Sequence, residues 1–505
     1  MSTVAATEVR RSTRSGAIGL VGAAVNGAFG FVLTIVVVRA FGADGSGALF
    51  SVIGLVTIVG ALCCLGADTA LMWALPRRRT GPDGDAARLL PPALLPTVGL
   101  ALLVAAAGLA AAGPIAGALL DDPDGAALIR LAFAGVPVIV AATVLLAAVR
   151  ATRAVSAYVA VQFLFVPIAR PALMITAVAA GGGVLAGFGG WLLPLVVALL
   201  LAVVLAAKPL GVGAGAALRP AAGDWRTFWG FALPRAASVA IDASSMWVGV
   251  LLTGALATQA EAGVFAAVGR YALAGLLVMQ GLRVAIAPQL SRLLGAGRRA
   301  EAAQVYRRTS LWIVVLSWPA YLMLAVFAPA FLALFGADFR SGATPLAVLA
   351  GAMLVNVGVG LVQTVLLMSG NSRGHLRATV TGLTLNVALC LVLIPRHGAL
   401  GAAIAWSCGI VAENLLAAVL ARRALGEALF GRTLVVPALA VTAATGAAAV
   451  IGTLVAGRGL PGLAVALGVL AAGAAALLTD RRARAALASV RTQLKPARTT
   501  TEEDQ

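Results

Sequence analysis

Apolar runs of about twenty residues, parted by short basic loops, recur along the 505-residue chain. A run of that length crosses the hydrocarbon of a bilayer as one helix, because a helix bonds its own backbone polar groups internally. Apolar residues make up 61% of the chain and charged residues 11%, more apolar surface than a soluble core absorbs. Roughly fourteen spans are expected, at 16–38, 47–74, 89–112, 127–149, 157–180, 186–207, 228–253, 262–285, 309–334, 344–368, 377–394, 399–421, 433–455 and 460–479. The fold class is therefore all-α, a polytopic membrane protein. Six helices form an N-lobe over 1–208 and six a C-lobe over 227–421; a proline- and glycine-containing linker, 209–226, joins them. Two more helices occupy 422–480, and a basic tail covers 481–505.

The net charge of +18 would suggest nucleic acid in a soluble protein, but here the arginines cluster in the loops, where they act as a topology signal. One side receives Arg10, Arg11 and Arg14, the run Arg77–Arg79, Arg150 and Arg153, Arg298 and Arg299, Arg422 and Arg423, and the tail. The loops of the other side carry Arg39, Arg340, Arg396 and Arg458. Both termini are thus expected in the cytoplasm of a cell-membrane protein, with no nucleic-acid partner. The first apolar run, to Val38, is too long for a cleaved signal and reads as a retained helix. Segment 288–308, which sets Leu290, Leu293 and Leu294 against Arg292, Arg298 and Arg299, is expected along the inner membrane surface.

The stretch 228–249, FWGFALPRAASVAIDASSMWVG, is span-like yet holds Arg235 and Asp242. At about 100° per residue Arg235, Ser238, Asp242, Ser245 and Gly249 share one face. A charge at membrane depth costs about 2.5–3.5 kcal/mol, so this face implies a protein-lined or watery cavity, or a structural ion pair completed by a neighbouring helix. Asp68, Arg170, Arg270, Arg283 and Glu413 are the other charges inside spans, each a functional candidate by the same cost. Arg170 lies in FVPIARP (165–171), where two prolines remove backbone hydrogen bonds and a kink is expected. Interior arginine favours a phosphate or carboxylate ligand, since the guanidinium stays charged and binds oxyanions in bidentate fashion. Arg235 and Arg270, on consecutive spans, are the pair expected to hold it, with Arg170 and Arg283 as further candidates. Acidic Asp242, Asp68 and Glu413 are candidates for ion coupling.

Absences narrow the function. Neither lysine follows a glycine-rich turn and no G-x-x-x-x-G-K-[ST] occurs, so the chain has no phosphate-binding loop of the ATPase type. Cys63, Cys64, Cys390 and Cys408 lie in apolar spans, while His375 and His397 sit in separate loops, without metal-ligand spacing. No cofactor, metal or catalytic residue is expected, and the chain is not read as an enzyme.

Four turns carry a resemblance. VRAFGADGSGALF (38–50) resembles R-x-[LF]-G-x-x-x-[YF]-G, with Ser46 in place of the aromatic. EAGVF (261–265), PQLSRL (288–293) and IPRHGALGAA (394–403) are similar to E-x-G-x-[YF], P-x-L-S-x-L and P-x-x-G-x-x-G-A. Together they resemble the bacterial polysaccharide transporters, the Wzx-type oligosaccharide flippases, of the superfamily that also holds multidrug-and-toxin exporters and lipid II flippases. The resemblance implies two lobes around a central cavity, alternating access, and a polyprenyl-pyrophosphate-linked oligosaccharide as cargo for cell-surface polysaccharide synthesis. It implies membrane lipids, a polysaccharide polymerase and glycosyltransferases as partners, and H+ or Na+ as the coupling cation. A cation-coupled multidrug exporter and a non-transporting scaffold of a polysaccharide-assembly complex are the alternatives.

Overall fold

A computed structural model describes residues 3–80, 86–120, 124–153, 155–210, 220–429 and 431–479. Their regular structure is helical throughout. The helices are α1 (Thr3–Cys64), α2 (Ala67–Thr80), α3 (Leu90–Ala110), α4 (Ala112–Leu119), α5 (Gly125–Thr152), α6 (Val155–Val159), α7 (Val166–Ala179) and α8 (Val184–Leu210). They continue as α9 (Ala222–Leu256), α10 (Gln259–Ala274), α11 (Leu277–Gly295), α12 (Arg299–Val326), α13 (Ala328–Leu332), α14 (Ala343–Gly358), α15 (Val362–Met368), α16 (Ser372–Leu425), α17 (Arg432–Ala456) and α18 (Leu460–Thr479). Every expected span falls on a helix or a broken helix pair. Half of the linker and all of the basic tail lie outside the described residues.

Among the described residues nine helices are long and apolar enough to cross a membrane, ten if α10 and α11, bent by 45°, count as one. Two of the nine contain a break. At about 1.5 Å per residue, the 54 residues of α16 exceed twice the hydrocarbon thickness. They bend at Gly398 (φ 50°, ψ −128°). A β-carbon on Gly401 would lie 2.5 Å from the Leu393 carbonyl oxygen, an approach a straight helix forbids, so the chain reverses there. α1 breaks likewise at Gly42 (φ 65°, ψ −165°). Positive φ is cheap only for glycine, which explains why both turn motifs carry one.

Side-chain contacts gather the turns of one end. The Arg39 Nε donates to the Leu334 carbonyl at 2.9 Å, Glu261 Oε2 accepts from the Ala399 N–H at 2.7 Å, and Arg458 Nε donates to the Val326 carbonyl at 2.9 Å. We call this the Gly42 end; the opposite, arginine-rich end is the basic end. The motif residues thus tie turns together and cap the orphan carbonyls and amides of helix ends.

Helices α5, α8, α3 and α7 pack among themselves, and α9, α12, α14, α15 and α16 do the same. α17 packs on α12 and on α18. Between the two groups run two seams, α1 against α10 and α9, and α2 against α9. At the first seam glycine meets glycine. A β-carbon on Gly47 would sit on the Gln259 carbonyl, and one on Gly263 would sit on the Ala43 carbonyl and 2.7 Å from Ser46 Oγ. Below, Phe31 packs edge-on against Tyr271 (4.9 Å between centroids), whose hydroxyl donates to the Phe331 carbonyl at 2.6 Å. At the second seam Gly66 lies against Ala232 and Ala236, and Trp73 stacks on Phe231 at 4.5 Å.

Segment 288–308, expected along the inner membrane surface, is helical on both sides of a short turn. α11 runs through it to Gly295 and α12 starts at Arg299, forming a helical hairpin in which Leu290 is covered and Leu293 and Leu294 are half-buried. Leu290 is fully buried with Ala302, Ala303 and Tyr306, because the same leucines that would have faced lipid find a protein neighbour. The cysteines match their expected role as small core residues: Cys63, Cys64 and Cys390 are buried and Cys408 is half-buried, all as free thiols.

Candidate functional site

Two arginines, one from each helix group, lie in the interior within electrostatic reach of each other. Arg170 on α7 donates its Nε to the Trp191 carbonyl of α8 at 3.2 Å, and its guanidinium lies 4.1 Å from the centre of the Trp191 ring. Arg270 on α10 lies 5.4 Å from the centre of the Trp247 ring of α9. The two guanidiniums are close enough to repel each other electrostatically. Among the described residues neither has a carboxylate at ion-pair distance, and the buried Nε of Arg270 has no hydrogen-bond acceptor. Each arginine is thus backed by a tryptophan of the neighbouring helix in its own group, an arrangement worth about 0.5–2 kcal/mol per pair. That gain does not cancel the cost of two like charges at membrane depth. An anion between them does, since charge-assisted bonds to oxyanion oxygens satisfy both forks at once.

The structure therefore pairs Arg270 with Arg170, and Arg235 stands elsewhere. Met246 and Trp247 are the α9 residues level with Arg270. Arg235 lies twelve residues earlier, about 18 Å along the helix, beside the Gly66 contact and exposed. The polar face expected around it divides. Gly249 packs on the Phe265 ring and the Ser245 carbonyl accepts from Asn386 Nδ2 at 3.3 Å, so that end of the stripe serves helix packing. The side chains of Ser238 and Asp242 lie outside the described residues. Arg283 is half-buried on α11, toward the basic end.

Glu413 of α16 accepts at Oε1 from Gln363 Nε2 of α15 at 2.9 Å and from Thr379 Oγ1 at 3.0 Å. Its carboxylate stands 3.3 Å from where a Gly382 β-carbon would be, so this glycine makes room for the cluster. Asp68 of α2 lines a small cavity at the basic end together with Arg150 and Tyr158. Sequence reasoning missed Trp191, Gln363 and Thr379. Only the glycines before Trp191, which allow α7 and α8 to approach closely at Gly190, hinted that the tryptophan faces a neighbour.

No family model matches the chain. A curated relative, the probable low-salt glycan biosynthesis flippase Agl15 of Haloferax volcanii, is 26% identical over 174 residues, 34% of this chain. The chain spans 36% of that relative's length. Among solved structures it is similar to the lipid II flippase MurJ in an inward closed conformation, with TM-score 0.71 and 11% identity over 91% of this chain and 99% of that one. An inward-facing multidrug resistance MATE transporter of the MOP superfamily gives TM-score 0.59 and 16% identity over 79% and 94% of the two chains. A MOP superfamily transporter from Pyrococcus furiosus, described as having a binding pocket of reverse polarity, gives 0.58 and 17% over 83% and 96%. The fold is the one these polytopic transporters share.

Proposed function

We propose that this protein is a flippase that moves a polyprenyl-pyrophosphate-linked oligosaccharide across the cell membrane by alternating access. The observation that carries the reading is that Arg170 and Arg270, one from each helix group, each lie over a tryptophan ring with no carboxylate at ion-pair distance among the described residues. A pyrophosphate offers several oxyanion oxygens to two bidentate forks, and it neutralises the repulsion between the two guanidiniums. A cationic drug would meet that repulsion instead. The two helix groups act as lobes, and the α1–α10 and α2–α9 seams open alternately around the fixed arginines. Arg235 and Arg283, nearer the basic end, meet the same anion on its way to the centre. The termini lie in the cytoplasm, and an H+ or Na+ taken up at Glu413, Asp68 or Asp242 drives the cycle. Support for the glycan cargo comes from the short match to the Agl15 flippase and from the four turn motifs.

Reconstituted protein is tested with a fluorescent lipid-linked oligosaccharide whose leaflet is read by an impermeant quencher. Arg270→Ala should lower flipping at least a hundredfold while the protein inserts and elutes normally, and Arg170→Lys should retain only part of the activity because the bidentate fork is lost. Wild-type protein that moves cationic dyes and leaves the lipid in place overturns the reading.

A further inference from the structure

The first span carries an amide that the arginine pair leaves unused. Asn26 of α1 is exposed, and among the described residues it has no hydrogen-bond partner. Facing lipid, such an amide would forfeit the bonds it makes in water, so a polar group at this depth belongs on the side of a watery or protein-lined space. The neighbours of α1 fix that side, because the helix is regular from here to Gly42 and turns by about 100° per residue. Gly22 faces the fifth span: a β-carbon there would lie 2.5 Å from Val159 Cγ1 and 3.0 Å from the Phe163 ring. Gly27, about 140° round the helix, faces Leu277 of α11, and Phe31, about 180° round, packs on Tyr271 of α10.

Two arcs of α1 remain between these contacts. One holds Val21, Ala24, Ala28 and Val32, all exposed and all apolar, the composition of a lipid face. The other holds Asn26 at about 40° and Gly30 at about 80°, and a β-carbon on Gly30 would meet nothing within 4 Å. That arc opens between the fifth span, which carries Arg170, and α10, which carries Arg270. The levels agree as well. Tyr271, which packs on Phe31, adjoins Arg270, and Arg170 lies seven residues beyond Phe163 in a helix that runs from the basic end as α1 does. Both arginines thus stand near Gly30 and Phe31, and Asn26 lies four residues from Gly30, about 6 Å toward the basic end. On the same side of α1, Leu33, Thr34 and Val37 are buried, so the space closes toward the Gly42 end.

We propose that Asn26 contacts the sugar next to the pyrophosphate, so that the two arginines hold the anion and this amide reads the hydroxyls beside it. An amide carries both donors and an acceptor, as sugar hydroxyls do, whereas phosphate oxygens only accept and a polyprenyl chain does neither. Gly30 leaves the pyrophosphate room between the two guanidiniums. The headgroup extends from there toward the basic end, the direction in which the space stays open, and Asn26 is the polar side chain it meets on α1. A site built to bond a hydroxyl rejects a ligand that lacks it, because its own polar group is then left unpaired. This inference rests on reading the arginine pair as the pyrophosphate site, and it adds the residue that selects a glycosylated lipid over a bare one.

The test compares two lipids on full-length protein in nanodiscs: polyprenyl pyrophosphate, and the same lipid bearing one N-acetylglucosamine. The parent should bind the glycosylated lipid more tightly. Asn26→Leu, a change of similar size on an exposed face, should weaken that lipid by about three- to tenfold and leave the bare one unchanged. A parent without the preference, or an Asn26→Leu variant that loses nothing or loses equally on both lipids, overturns the proposal. Arg270→Ala should weaken both lipids alike; if it weakens neither, the arginine site itself falls, and the inference with it. A second measurement needs no ligand. In cysteine-free protein Asn26→Cys should react readily with a membrane-impermeant maleimide, and Ala28→Cys, on the lipid arc, should not. The reverse order overturns the placement of Asn26.

Discussion

Adding one methyl group at Gly263 should pry apart the α1–α10 seam at the Gly42 end. An alanine β-carbon there meets the backbone carbonyl of Ala43, lies 2.7 Å from Ser46 Oγ and 3.0 Å from the Gly47 nitrogen. Two of these three neighbours are backbone, so no rotamer change relieves the contact. Overpacking of this kind costs about 1–3 kcal/mol. If the cost falls on the closed seam alone, the ratio of open to closed forms rises by a factor of about 5 to 150. The reporter is Ser51→Cys, at a residue 1% exposed that faces Gln259, in a protein otherwise free of cysteine. Its rate of modification by an impermeant maleimide added to the Gly42 side should rise by that factor in Gly263→Ala. Gly30→Ala serves as control, since a β-carbon on Gly30 has nothing within 4 Å, and should leave the rate unchanged. Equal labelling in Gly263→Ala and the control, with both proteins folded, refutes the idea that glycine contact closes this seam.

Two further outcomes test the fold. Gly398→Ala places a side chain at φ 50° and 2.7 Å from Glu261 Oε2, so a loss of about 1–3 kcal/mol is expected, read as a lower Tm in detergent. Gly446→Ala, in open space within α17, should match or exceed the parent Tm, and equal melting of both variants contradicts the turn assignment. Tags at the N-terminus, Arg78 and Arg422 should all be reachable from the cytoplasmic side alone, and exposure of any one on the outside breaks the orientation drawn from the arginine pattern.

The sequence reveals the helices, because twenty-residue apolar runs have few physical alternatives in lipid. It also shows the turns at Gly42 and Gly398, where a backbone conformation demands a particular residue. Helix-face reasoning on 228–249 groups residues into a stripe by angle, yet angle says nothing about what stands opposite. Phe265 and Asn386 cover part of that stripe, and Arg235 stands about twelve residues of helix away from the level of Arg270. The pairing of Arg170 with Arg270 depends on how α7 and α10 sit across the interface of the two helix groups, which no local pattern encodes. Prolines 167 and 171 pointed to a break in regular bonding; the departure appears just before them, as a π-helical turn over Ala160–Phe165. The cover over Leu290 was equally hidden, since an amphipathic face reads the same whether lipid or Tyr306 meets it.

The glycine crossing of α1 on α10 also bears on how the chain is made. Gly47 emerges from the ribosome roughly two hundred residues before Gly263, and synthesis at about 5–20 residues per second separates the two by ten seconds or more. During that interval the groove at Gly47 is open to lipid or to insertion factors, although its final occupant is backbone. Closure of the seam must therefore be a late, long-range step in biogenesis, and a bulkier residue at Gly47 should leave the first spans properly inserted yet stall assembly only after the eighth has been threaded into the bilayer.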